Sequence, residues 1–274
     1  MAEYVKYVDV TKCDGCRACM VACKNWNDLE AEPEEFNGTI QSHKDLTANT
    51  WNLITYEEKE MNGRFEWLFR HKSCLHCTDA ACEKVCPEDA ISYSEYGSVV
   101  VDYDKCVGCG YCVEGCPFDV IKLADYIDEN GDKQRRAQKC TLCTDRLDEG
   151  LQPACVTSCH TDALMFGEKE EMLTLAEARL QEIKERYPNA NLYNPAGVKG
   201  THTIYVLADV PETYGLPANP KVPTSAKIWK DYAQPVGKAL LGATTMAVVG
   251  AFVANKFLAK GDHEGGDSHE QKEE

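Results

Sequence analysis

The sequence has few marks of an enzyme or of a nucleic-acid binder. It contains no G-x-S-x-G elbow, no Walker A loop, no nucleotide-binding glycine fingerprint and no H-E-x-x-H helix. Acyl transfer, nucleotide-driven chemistry and zinc proteolysis therefore have no basis in it. Positive charge is also scarce: 29 Lys and Arg face 45 Asp and Glu, a formal net charge of −16. Nucleic acid wants a basic face, so that partner is excluded. The acidic surface keeps a protein soluble and points to no particular partner. Polar residues interrupt residues 1–24 throughout, so no secretory hydrophobic region is expected there.

Cysteine, by contrast, is abundant. All sixteen fall into groups of four: Cys13, Cys16, Cys19 and Cys23; Cys74, Cys77, Cys82 and Cys86; Cys106, Cys109, Cys112 and Cys116; Cys140, Cys143, Cys155 and Cys159. The third group with Pro117 reads C-x2-C-x2-C-x3-C-P, the bacterial ferredoxin run that holds [4Fe–4S] clusters. The small Gly108, Gly110 and Gly115 are expected to let backbone amides approach cluster sulfurs. The first group keeps the spacing but is followed by Lys24. The second is stretched by two residues, and the fourth is the most stretched, with His160 in the proline position. A disulfide framework belongs mainly to small secreted domains, and zinc ribbons do not repeat this spacing.

In such runs the fourth cysteine ligates the partner cluster. The second and third groups are close in sequence and form one module, and the first and fourth close around it as another. The expected sets are Cys13, Cys16, Cys19 and Cys159; Cys23, Cys140, Cys143 and Cys155; Cys74, Cys77, Cys82 and Cys116; and Cys86, Cys106, Cys109 and Cys112. Four [4Fe–4S] clusters so held conduct single electrons, and no catalytic residue is expected of the chain itself. His76 and His160 stand beside ligands and could donate to cluster sulfurs. His43, His71 and His202 receive no role.

The expected fold class is α+β: two ferredoxin-like modules plus a C-terminal transmembrane helix. Residues 1–73 and 117–167 form the first/fourth module and residues 74–116 the second/third. Residues 1–12 should hold a short strand, 25–49 a long irregular loop, and 51–56 with 64–70 a hairpin turning at Asn62 and Gly63. Trp51, Trp67 and Phe69 are expected in the core or shielding a cluster. A small hairpin is expected at 91–93 and 99–102. After a charged turn at 128–132, residues 168–232 should comprise an amphipathic helix ended by Pro188, a buried strand at 203–207 and an extended proline-rich linker at 211–223. Residues 239–254 are uncharged, and 236–258 suffice for about one bilayer span. The span is placed at 233–259, before an acidic, disordered tail at 260–274. Ala243, Ala247 and Ala251 recur every four residues, as on helix faces that pack against other membrane helices. The flanking Lys227, Lys230, Lys238, Lys256 and Lys260 are too evenly divided to set orientation.

The order of the four groups, with the segments 19–28, 63–68, 109–118, 139–146 and 193–202, resembles the four-cluster subunits of molybdenum- or tungsten-pterin oxidoreductases. Within that family it is most similar to the iron–sulfur (β) subunits of membrane-bound formate dehydrogenase of the nitrate-inducible type. The resemblance implies a molybdenum/tungsten-pterin catalytic subunit that oxidises formate, and a cytochrome b-type membrane subunit that passes electrons to quinone. It also implies contact with membrane lipid, and a single-pass protein of the inner membrane with its cluster domain on the periplasmic face. Polysulfide or thiosulfate reductases and hydrogenases use similar wiring, and a free-standing polyferredoxin carrier is a further alternative. Two departures stand out. The stretch before Cys13 is shorter than in that subunit, and His160 replaces the usual proline. Related nitrate reductase subunits have tryptophan at one cysteine position, whereas all sixteen cysteines are present here.

Overall fold

The computed structural model describes residues 3–36, 38–61, 63–127 and 131–261. It divides into one unit over 1–226 and a second over 227–274.

The first unit is built on β1 (Tyr4–Asp9), the strand expected over 1–12. It is followed by α1 (Ala18–Trp26), which carries Cys19 and Cys23. No regular element occupies the described residues from there to β2 (Leu53–Met61), which pairs antiparallel with β3 (Arg64–Lys72). Next come α2 (Ala81–Lys84), the β4 (Ile91–Tyr93) and β5 (Val99–Val101) hairpin, and α3 (Tyr111–Gly115). β6 (Lys122–Ile127) and β7 (Lys133–Gln138) form a further hairpin, followed by α4 (Thr144–Asp148) and α5 (Ala154–Thr157). β8 (Leu164–Glu168), α6 (Lys169–Ile183), β9 (Asn191–Tyr193), β10 (Thr203–Leu207) and α7 (Thr224–Ile228) complete the order up to the second unit.

One four-stranded sheet, ordered β8-β1-β10-β9, organises the unit. β1 runs parallel to β10, with Tyr7 opposite Ile204, and antiparallel to β8, with Tyr7 opposite Met165. Alternation along β1 suggests a half-buried strand, yet Val5 through Asp9 are all buried, Lys6 and Asp9 included. Successive side chains of a strand point to opposite faces. Lys6 and Val8 line cavities among the cysteines, whereas Asp9 accepts a 2.8 Å hydrogen bond from Arg179 Nε of α6. The sheet thus separates the cysteine groups from α6. α6 stops at Ile183, five residues before Pro188, and residues 184–186 turn towards it.

Several expectations need correction. Residues 211–223 are a packed segment, not an open linker. Pro211–Tyr214 make a turn of 3-10 helix closed by Gly215 at φ +64, and Tyr214, Leu216 and Val222 are buried. Proline suits the first position of such a turn and glycine the left-handed residue after it. Tyr193 donates to the Pro217 carbonyl at 2.7 Å, pinning the segment to β9. Trp51 is in the core, but Trp67 is 59% exposed, because it shares with Phe65 the outward face of β3. The β6–β7 hairpin had only Ile121 and Leu123 to suggest a strand. It is held by charge, with Asp125 3.1 Å from Lys133, and by Arg136 lying 4.1 Å from the centre of the Tyr126 ring. Asp209 follows β10 and accepts from Lys59 of β2 and from Thr213 Oγ1 at 2.7 Å. Burial opposes its charge, but Lys59 and Thr213 outweigh burial and hold its pKa down to about 2.

The second unit holds a π-helical turn (Trp229–Ala233) and the long α8 (Gln234–Gly261). Within it, Gln234–Ala254 is long and apolar enough to cross a membrane, and none of it is buried in the protein. Thr244 and Thr245 donate back to the Leu241 carbonyl at 2.9 and 2.8 Å, which satisfies their hydroxyls inside the helix as lipid requires. Asn62, residues 128–130 of the expected charged turn, and residues 262–274 of the expected tail, with His263 and His269, lie outside the described residues.

Candidate metal centres

All sixteen cysteines are free thiols. The structure gathers them in fours, drawing in each case on two sequence groups. One cavity is lined by Cys13, Cys16, Cys19 and Cys159, together with Val8 and His71. Another is lined by Cys23, Cys140, Cys143 and Cys155, with Lys6 and His71. A third is lined by Cys86, Cys106, Cys109 and Cys112. The remaining four also lie together. Burial first, and then the neighbouring Cys74, Cys82 and Cys116, push the Cys77 thiol well above its ordinary pKa.

Helix geometry explains the exchange. Cys19 and Cys23 both sit on α1, four residues apart, yet they line different cavities. Cys112 and Cys116 straddle α3, Cys82 and Cys86 α2, and Cys155 and Cys159 α5 in the same way. Four residues of helix rise about 6 Å. One short helix therefore offers a thiol to each of two adjacent sites.

The surroundings fit iron–sulfur clusters. Backbone amides point at sulfur: Ala90 N–H donates to Cys86 Sγ at 3.4 Å, Ala137 N–H to Cys106 Sγ at 3.5 Å and Leu142 N–H to Cys140 Sγ at 3.4 Å. His76 is fully buried, and its Nδ1 accepts from Val99 N–H at 3.0 Å, so Nε2 carries the proton. That Nε2 has no partner among the described residues, and neither has Nε2 of His71. A buried orphan donor such as the His76 Nε2–H is rare in native proteins, and acid-labile sulfide would accept from it. Glycine is also required beside one site. Gly108 has φ +66, and a Cβ there would lie 2.3 Å from the Arg135 carbonyl of β7. The immediate constraint is thus a neighbouring strand, where the sequence suggests room for amides.

Electrostatics point the same way. Burial, then Cys140, push Cys143 up to about 12, and burial, then Cys106, do the same to Cys112. Burial raises Cys13 to about 11. For Cys143 and Cys112 this amounts to roughly 4 kcal/mol against the thiolate. Metal–thiolate bonding, which supplies roughly ten kcal/mol or more per ion in zinc–thiolate sites, readily exceeds that. Without a bound cation these are poor sites for thiolates.

Two sites reach the surface. Cys16 and Cys109 are exposed, whereas the other fourteen cysteines are buried or half-buried. Near Cys16, His160 Nε2 lies 3.0 Å from Asp14 Oδ2 and its Nδ1 lies 3.8 Å from Cys16 Sγ.

Two overlapping matches to the 4Fe-4S dicluster domain cover residues 12–90 and 65–169, and so include every cysteine. Among curated proteins, the nitrate-inducible formate dehydrogenase iron-sulfur subunit of Escherichia coli K12 is 42% identical over 98% of this chain and 91% of its own. The formate dehydrogenase-O iron-sulfur subunit of the same organism is 42% identical over 99% and 90%. The formate dehydrogenase iron-sulfur subunit of Haemophilus influenzae is 42% identical over 92% and 80%. The chain belongs to the family of formate dehydrogenase iron–sulfur subunits. As in that family, its business is electron transfer through [4Fe–4S] clusters, on a scaffold of ferredoxin-like domains.

Sequence reasoning gave no role to several residues at these sites. His71 lies on the walls of two cavities, and Lys6, Ser73 and Lys139 are buried in the same region. Lys6 could have been noticed as a lysine inside a strand of valines. Nothing local distinguishes His71 or Lys139.

Proposed function

We propose that the four quartets each hold one [4Fe–4S] cluster, three of them ligated as the cavities group the cysteines and the fourth by the remaining four. The set of Cys13, Cys16, Cys19 and Cys159 and the set of Cys23, Cys140, Cys143 and Cys155 then form one module. Cys74, Cys77, Cys82 and Cys116, with Cys86, Cys106, Cys109 and Cys112, form the other. The clusters supply one-electron redox chemistry, and the chain positions them and sets their potentials.

The single observation that carries this reading is the linear order of the quartets. α1 packs against α5, and each offers a cysteine to the first and to the second quartet. α2 packs against α3 and joins the other two quartets in the same way, while Lys6 lines the cavity of Cys140 and bonds Ser73 beside Cys74. These contacts string the quartets into one line with exposed Cys16 at one end and exposed Cys109 at the other. A line with two open ends connects two partners. The relatives are named as formate dehydrogenase subunits, so one partner is a molybdenum- or tungsten-pterin catalytic subunit that oxidises formate. The other is a cytochrome b-type subunit that reduces quinone in the inner membrane. α8 spans that membrane once, with the cluster domain on the periplasmic side. The chain itself performs no catalysis.

The purified complex tests this anaerobically. Formate should reduce the clusters of this chain within the complex, seen as loss of visible absorbance and the appearance of reduced-cluster resonances. The chain alone, loaded with clusters, should not respond to formate. Clusters that stay oxidised in the active complex, or formate oxidation by the chain alone, would contradict the proposal.

A further inference from the structure

Two lysines are buried where the two modules meet. Lys6 is 0% exposed and Lys139 2% exposed. Lys6 Nζ donates to Ser73 Oγ at 2.8 Å, and Lys139 Nζ donates to the carbonyls of Val99 and, at 3.0 Å, Cys140. Ser73 Oγ in turn lies 3.5 Å from His71 Nδ1. All of these partners are neutral. No ion pair with a carboxylate is made by either lysine among the described residues. A buried ammonium without a counter-charge is strongly disfavoured, so the compensating negative charge has to be supplied by something else.

Thiolates of two different quartets are the negative groups at hand. Lys6 lines the cavity of Cys23, Cys140, Cys143 and Cys155. Its Nζ bonds Ser73, the residue before Cys74, so Lys6 stands between that quartet and the neighbouring one. Lys139 approaches from the other side: it bonds the carbonyls of Cys140 and of Val99, and the Val99 N–H donates to His76 in the loop between Cys74 and Cys77.

We infer that Lys6 and Lys139 are a charge-compensating pair that raises the reduction potentials of the two middle clusters and eases the crossing between modules. Each one-electron reduction adds one negative charge to a site already ringed by thiolates. A fixed cation in a medium of low dielectric favours the reduced form. The two outer quartets, lined without either lysine, lack that support. The inference rests on the ligand sets proposed above and concerns what tunes them.

The test is an anaerobic redox titration of the intact complex followed by cluster resonances, with iron and sulfide measured on each preparation. Lys6→Met and Lys139→Met should keep full iron content. Each should lower two of the four midpoint potentials of this chain by at least about 59 mV, a tenfold change in the oxidised-to-reduced ratio of a one-electron couple. The other two midpoints should stay in place, and Lys6→Arg should restore native values. If Lys6→Met fails to assemble but Lys6→Arg assembles with native midpoints, the same need for charge is shown. Full iron with unmoved midpoints in both methionine variants would overturn the inference and leave the ligand sets intact. Failure of both Lys6 variants would mark that site as limited by shape and overturn the role of Lys6. A native complex without its iron would defeat the ligand sets themselves.

Discussion

Cys159→Ala is expected to empty the wrong site by the logic of sequence. It should damage the cluster beside Cys13, Cys16 and Cys19, more than 130 residues away, because Cys159 shares their cavity. The cluster beside Cys140, Cys143 and Cys155 should survive, although Cys155 is only four residues from Cys159 and its other ligand Cys23 is remote. Short helix α5 puts the two thiols about 6 Å apart along its axis, on opposite sides of a boundary between cavities. The readout is iron content together with resonance spectra. One cluster should be lost or reduced to a three-iron form, removing about one to four irons from the chain. Cys155→Ala should affect the other cluster. If Cys159→Ala instead disturbs the cluster of its own sequence neighbours, the assignment is wrong.

Deletion of residues 233–274 is expected to have the largest functional effect. The chain would lose α8, whose Leu240, Leu241, Met246 and Phe252 are each more than 60% exposed among the described residues. Lipid and a partner helix are the natural cover. Within lipid, packing and polar contacts hold helices together, so the face of Ala243, Ala247 and Ala251 suits close approach by the membrane subunit proposed above. The clusters lie in the first unit, over residues 1–226, and should remain. Formate oxidation with an artificial acceptor should persist through the catalytic subunit. Formate-driven quinone reduction should fall by an order of magnitude or more, and the complex should shift to the soluble fraction. A truncated complex that stays in membranes and reduces quinone normally would show that α8 is not the attachment.

The pairing of the cysteine groups was legible in the sequence, and most other long-range chemistry was not. The thiol spacing defined the four groups, and the swap rule led to quartets of which the cavities bring three together. β1, the β2–β3 and β4–β5 hairpins, α6 and β10 were visible because each follows a hydrophobic period or a turn signal. The β6–β7 hairpin was not anticipated, since Lys133, Gln134, Arg135 and Arg136 have little strand propensity and are held by cross-strand charge and ring contacts. Residues 211–223 read as linker because prolines deny them helix. Their burial depends on β9 and on the loop at Gly197, where a Cβ would meet the Pro220 carbonyl at 2.1 Å. Lys6, His71 and Lys139 gained meaning only when β1, β3 and the fourth cysteine group met in space. The order of the quartets is likewise a property of the packed chain.

The most direct test is the cluster load of anaerobically prepared protein. With each quartet holding one [4Fe–4S] cluster, the chain should contain about sixteen iron and about sixteen acid-labile sulfide. Full reduction should give interacting cluster signals, with no stable three-iron resonance in undamaged protein. Stoichiometric zinc, about half that iron, or a persistent three-iron signal would contradict the account.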